Sequence, residues 1–236
     1  MSIWFRLGEF LSRAPAATLS SMVEAVRTVF EGEPALRRKV AFSIAMIALS
    51  AKMAKADGIV TQDEVRAFQQ IFSVPVSEVR NVARLYDLAK GDIAGFETYA
   101  SKIAGLFREE DQGAETLEDI LDGLFFISKA DGLVHEREVI FLRRTAEIFG
   151  MTEGRFEQVL YRHVSGGSAD PYKVLGIAAD SDFTAVRRRY RSLIAENHPD
   201  RLIAHGLPEE FIAIANDRVA AINVAYETIE RAQRRS

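Results

Sequence analysis

From about residue 18 to residue 163, apolar residues recur three and four positions apart, with almost no alternation of β-branched and polar residues. That spacing stacks side chains on one face of a helix, so the pattern predicts helix after helix and an all-α fold. The apolar run "VAFSIAMIALSA" (40–51), closed by Lys39 and Lys52, predicts a buried helix, because a membrane span needs about 20 such residues. Pro34 suits a first helical turn, and Gly58 and Gly132 suit breaks. Only "VSGGSAD" (164–170) has linker chemistry, small and polar with adjacent glycines. The expected organisation is a helical domain over 1–163, a linker over 164–169 and a second domain over 170–236.

The first domain contains a repeat. "KADGIVTQDEV" (55–65) and "KADGLVHEREV" (129–139) match at a fixed offset of 74, each preceded by an apolar helix and followed by an amphipathic one. Two related helical hairpins are expected. Asp-Gly ends the first helix of each, since glycine readily takes the left-handed conformation there. Thr61 with Glu64 spells a capping box for the next helix, whereas the second copy keeps Glu138 but has His135 in place of the threonine. The alternative, the back half of an EF-hand loop, puts Met53, Lys55, Ile127 and Lys129 at ligand positions, and those side chains do not coordinate a hard cation.

In the second domain Val186, Tyr190, Leu193, Ile194 and Asn197 share one helical face, which goes to a core. Arg187, Arg188 and Arg191 fall near the opposite side, with Arg189 on a flank. Asp180 or Asp182 can cap the start. Pro199 biases His198 away from helical dihedrals, which stops the helix at about Asn197 and leaves "HPD" (198–200) in an exposed loop. Another helix is expected from about Pro208, its stripe formed by Phe211, Ala215, Val219, Ile222, Tyr226 and Ile229. The two stripes zip together as an antiparallel hairpin, and "PYKVLGI" supplies a short preceding helix that closes one end. The expected core of this unit is Tyr172, Leu175, Tyr190, Leu193, Val219, Ile222 and Tyr226.

Composition narrows the chemistry. With 236 residues, 48% of them hydrophobic, a real core is available. No cysteine is present, which removes disulfides, zinc-thiolate sites and cysteine nucleophiles. A net charge of −4 gives no global drive toward nucleic acid. The second domain is balanced, with 10 basic and 10 acidic residues from 170 onward, so "RRRYR" (187–191) is a local basic surface and nucleic-acid binding is not expected. The start lacks the pattern of a signal peptide, and a cytosolic location is expected. Ile3, Trp4, Leu7, Phe10 and Leu11 give segment 1–15 an apolar face. Packing against the helical domain, or against a second copy, is preferred to lying on a membrane surface such as the inner membrane. The oligomeric state is left open.

No nucleophile and orienting group accompany His198, and His198, Asp200 and His205 fall short of a metal ligand set. No catalysis, resident metal or cofactor is therefore expected. The paired "KADG" turns in a helical domain resemble the TerB-like family of tellurite-resistance proteins over roughly residues 35 to 160. That resemblance makes Asp57, Glu64, Asp131 and Glu138 candidate metal positions, with helix capping the preferred role. The combination of "DPYKVLGI", "VRRRYRSLIAENHPDR" and "AAINVAYETI" resembles the J-domain of DnaJ-type co-chaperones over residues 170 to 231.

In that family the tripeptide and the basic helix face engage a DnaK-type chaperone in its ATP state and accelerate hydrolysis. Carried over, His198, Pro199 and Asp200 form the signalling tripeptide, and Arg187, Arg188 and Arg191 the docking face. The order of the two domains is similar to that of the DjlA-type co-chaperones, which typically begin with a membrane span; none is expected here. The resemblance implies a partner chaperone and a client of unknown identity, with the TerB-like domain choosing client or location. Two other readings stay open: a metal-linked stress protein acting through its acidic turns, and a scaffold with a silent J-like module.

Overall fold

The structure is a computed structural model that describes residues 2–13, 21–23, 25–26, 30, 32–56, 68–69, 72, 74–91, 95–108, 112–129, 134–163, 169–204 and 207–234. The described elements are helical throughout. They run α1 (Ile3–Arg13), α2 (Pro34–Ala56), α3 (Val79–Gly91), α4 (Phe96–Phe107), α5 (Gly113–Ser128), α6 (Glu136–Ile148) and α7 (Glu153–His163), then α8 (Pro171–Leu175), α9 (Phe183–Glu196), α10 (Pro199–Ala204), a 3-10 turn (Glu209–Phe211) and α11 (Ile212–Gln233).

The run "VAFSIAMIALSA" lies inside α2, where residues 40 to 51 are all buried, so the helix is apolar all round because neighbours surround it. It packs against α1, α3, α4, α5 and α6. Helix α1 covers one side with Trp4, Leu7, Phe10 and Leu11 fully or almost fully buried. Its apolar face is therefore spent on the helical core. No described helix is long and apolar enough to cross a membrane.

Of the two "KADG" turns, Asp57, Gly58, Thr61, Glu64, Asp131 and Gly132 lie outside the described residues. Glu138 is described, and its carboxylate accepts from the backbone N–H of His135 at 2.8 Å; the reciprocal arm, from the Glu138 backbone N–H to the His135 side chain, is present too, so the second repeat keeps both arms of a capping box despite its histidine. Among the described residues no cluster of three or more His, Asp and Glu is placed to hold a metal ion.

In the C-terminal region, Asp170 caps α8 by accepting from the Tyr172 N–H at 2.9 Å. Gly176 ends that helix in the left-handed conformation (φ 67°), and a Cβ there would meet Gln158 of α7 at 2.7 Å. Asp182 caps α9 through the Ala185 N–H at 2.7 Å. A small core forms from Val174, Leu175, Val186, Leu193, Ile222, Ala225 and Ile229, with Tyr172, Tyr190 and Tyr226 packed partly buried against it. Tyr190 and Tyr226 stack at 4.2 Å. Val219, expected in this core, is half-buried and belongs to neither apolar cluster.

The stripe expected along the last helix divides between two cores. Leu202, Leu207, Phe211, Ile214 and Ala215 join the cluster of the N-terminal helices, not the small core. Phe211 is fully buried, with its ring 5.4 Å from Trp4, 5.1 Å from Phe42 and 4.6 Å from Phe72. Gly123 in α5 permits the close approach, since a Cβ there would meet Ile214 Cδ1 and Met46 Cε, each at 2.7 Å. Of the expected linker, residues 164–168 lie outside the described set. Apolar residues from beyond it, between 202 and 215, nevertheless join the core of the N-terminal helices, while the small core stays separate.

Candidate functional site

The basic helix α9 ends at Asn197, whose backbone and side-chain N–H groups both donate to the Leu193 carbonyl, at 2.9 and 2.7 Å. His198 is non-helical, and its Nδ1 accepts from the Asp200 backbone N–H at 3.2 Å, the geometry of a helix N-cap. Pro199 then occupies the first position of α10, where its missing N–H costs nothing and its fixed φ fits. The exposed-loop expectation is thus corrected: proline ends one helix and opens another, and the tripeptide straddles the start of a six-residue helix. Its side chains face solvent, with His198 57% and Asp200 88% exposed and the Asp200 carboxylate 3.7 Å from His198 Nδ1.

Arg187, Arg188 and Arg191 are exposed on α9. Arg187 sits 5.2 Å over the Phe183 ring. Arg188 and Arg191 make no ion pair among the described residues. Arg189 instead turns inward, donating to the Leu175 carbonyl at 3.1 Å and lying 3.5 Å from Glu196. The segment from Arg187 to Asp200 therefore carries three exposed guanidinium groups along α9 and the exposed tripeptide at the start of α10, and together these form the candidate strip.

Behind that strip lies a charge network absent from the sequence reading. Arg218 of α11 is 3% exposed; its Nε donates to Asp122 at 2.5 Å, its Nη2 lies 2.7 Å from Asp119, and its Nη1 donates to Asn197 Oδ1 at 3.0 Å. Arg162 of α7 lies 3.4 Å from both Asp122 and Glu118, and Arg155 donates to Glu118 at 2.6 Å. His163 Nε2 is 2.9 Å from Asp122 Oδ1, and its ring stacks on Phe125 at 5.3 Å. At the edge Lys129 pairs with Asp217 at 2.6 Å.

Two carboxylates one turn apart on α5 respond oppositely to this setting. Burial raises the Asp119 carboxyl from 3.8 to about 6, against the opposing pull of Arg218. Burial acts on Asp122 as well, but Arg218, Arg162 and the hydrogen bond from His163 outweigh it and hold that carboxyl well below the usual range. The same carboxylates keep Arg218 firmly protonated despite its burial. A cavity of about 370 Å³ opens beside the network, lined by Glu118, Asp119, Asn197, Arg201, Leu202 and Arg218 among others.

The signal for this network was present in "LEDILDGLFF" (117–126), three acidic residues at positions 118, 119 and 122 of an apolar helix. Buried carboxylates need cationic partners, and Arg218 interrupts the apolar stripe of the last helix between Ala215 and Ile222. Nothing in the sequence pairs the two.

Comparison with known proteins supplies the family. The chain matches the tellurite resistance protein TerB over residues 43–160 and the DnaJ domain over residues 170–236. It is 29% identical over 221 residues to the co-chaperone protein DjlA of Photobacterium profundum, covering 82% of this chain and 78% of that one. Against the DjlA of Photorhabdus laumondii identity is 28% over 224 residues, 82% of this chain and 80% of the relative. The DjlA of Escherichia coli O157:H7 is 34% identical over 125 residues, 43% of this chain and 46% of its own. No solved structure matches. With a TerB domain followed by a DnaJ domain, the chain belongs to the DjlA-type family of J-domain co-chaperones.

Proposed function

We propose that this chain binds a DnaK-type chaperone and stimulates its ATP hydrolysis through His198, Pro199 and Asp200, with Arg187, Arg188 and Arg191 as the docking face. The observation that carries the proposal is the exposed strip on α9 and α10: the arginines and the tripeptide stay open to solvent while Leu202, Leu207, Phe211, Ile214 and Ala215 pack into the helical body. Arginines steer an acidic partner over distance and pair bidentately on contact. Asp200, with its carboxylate directed to solvent beside His198, accepts from a cationic group of the partner. The chain performs no bond chemistry; it acts by binding one conformation of the chaperone more tightly than another. The TerB domain supplies the choice of client or location.

Steady-state ATPase of the cognate DnaK-type chaperone tests this, with the wild-type chain beside His198→Gln. Stimulation by the wild type and near-basal turnover with the variant are expected. Equal rates with both, or no stimulation by the wild type, contradict the proposal. Arg187→Ala and Arg191→Ala are expected to weaken stimulation most at low salt, where charges are least screened.

A further inference from the structure

We infer that Arg218 is a positioning residue for the signalling tripeptide, locking the end of α9 and the start of α10 onto the TerB domain, so that this domain takes part in presenting the tripeptide to the chaperone. The inference rests on the functional reading above.

Three separate connections hold the segment from behind. The first is the guanidinium of Arg218, which bridges Asp119 and Asp122 of the TerB domain to the side chain of Asn197, the residue immediately before His198. The second is Leu202, one turn into α10 and 6% exposed, which packs into the TerB core. The third is Leu207, 3% exposed, in the same core, with its backbone N–H donating to the Leu202 carbonyl at 2.9 Å. The tripeptide is therefore pinned on both sides, by Asn197 before it and Leu202 after it, to elements of the other domain. His198 and Asp200 meanwhile point away from that attachment.

An ionic anchor suits this task. A guanidinium has five donors in a fixed plane, so it sets angles as well as distances. Buried among carboxylates, it has no alternative partner of equal quality, and opening the latch leaves charges unpaired in the interior. The geometry places α5 as the fixed wall, Arg218 as the bolt and Asn197 as the strike. The docking arginines of α9 hang on the far side and do not depend on it.

The distinguishing experiment uses the full chain with two substitutions. Arg218→Met removes the charge and keeps the volume, and Asn197→Ala removes the acceptor for Arg218 together with the side-chain bond to the Leu193 carbonyl, leaving the backbone bond to that carbonyl and the Arg218 pairs with Asp119 and Asp122 in place. Both are expected to lose most of the maximal ATPase stimulation of the DnaK-type chaperone, while the concentration for half-maximal stimulation stays within about twofold because α9 still docks. Arg218→Lys is expected to restore part of the maximum. Hydrogen exchange supplies a readout that needs no partner: amides of residues 200–204 lose protection in both variants, while those of residues 187–194 keep it.

Unchanged protection of 200–204 overturns the positioning role whether or not the wild type stimulates. So does a fall in protection spread evenly over α5 and α9, which would mark a merely structural residue, or a wild-type maximum in Asn197→Ala. If the wild type gives no stimulation yet the exchange pattern changes as expected, the functional reading falls and the mechanical link between the domains stands.

Discussion

The two halves of α11 do different work. Ile214 and Ala215 belong to the core of the TerB domain, and Arg218 to the charge network beside it, whereas Ile222, Ala225 and Ile229 belong to the small J-domain core. One unbroken helix of 22 residues thus serves two interiors. The lesson is that a domain recognisable as a stretch of sequence is not thereby a separate body: the family boundary falls near residue 165, but the apolar packing runs across it.

The largest effect should come from breaking the anchor at the entry to the first half, Phe211 in the 3-10 turn just before α11. Phe211→Ala deletes a fully buried ring from contacts with Trp4, Phe42 and Phe72 and should cost about 3–5 kcal/mol. Trp4 is the sole tryptophan, so urea unfolding followed by its fluorescence reads the TerB core directly. A lowered fluorescence midpoint is expected. An unmoved one would mean that the J-domain is merely tethered.

Ile222→Ala provides the contrast. It opens a cavity in the small core and should cost about 2–4 kcal/mol. The loss is expected as faster hydrogen exchange in α9 and the second half of α11, with the Trp4 midpoint moving less than in Phe211→Ala. Equal shifts in the Trp4 signal would erase the distinction between the halves.

A pH titration sharpens the role of the network between them. Because the folded-state pKa of Asp119 is raised from 3.8 to about 6, the native state holds this proton more tightly than the unfolded chain. Stability from this group is therefore full below about pH 4 and lost as pH rises toward about 6, by up to about 3 kcal/mol. Asp122 has the opposite sign: its contribution is present above the ordinary carboxylate pKa and lost as pH falls below it. Asp119→Asn should remove the first slope, so the difference between variant and wild type in urea unfolding grows from pH 4 to pH 6.5. A difference independent of pH would refute the buried setting of Asp119.

The smallest effect is local. Asp182→Ala removes the N-cap of α9 and should cost about 1 kcal/mol by urea unfolding. A loss several times larger would mean that α9 carries more of the fold than its cap and small core account for.

Much of this was legible from residue pattern. Helical periodicity gives the all-α class, the apolar run 40–51 the central helix, and the face of Ile3, Trp4, Leu7, Phe10 and Leu11 a helix packed on the body. The exposed arginines and the end of α9 at Asn197 follow from a stripe of period 3.6 interrupted by proline. What did not follow has a common cause. Periodicity says that a face is buried but not against what, so the stripe from Phe211 to Ile229 read as one hairpin partner. Pro199 signals the end of a helix and equally the first position of the next, and sequence alone does not choose between them. The pairing of Asp119 and Asp122 with Arg218 joins residues about a hundred positions apart, and no local pattern encodes such a contact.

The central claim is that the strip around His198 and Asp200 triggers another protein's active site. Single-turnover hydrolysis of a preformed DnaK-type chaperone–ATP complex, mixed with wild type or with Asp200→Asn, tests it most directly. The wild-type chain should accelerate hydrolysis, and the variant, folded by the same Trp4 criterion, should leave it near the basal rate. Equal acceleration by both proteins would contradict the account.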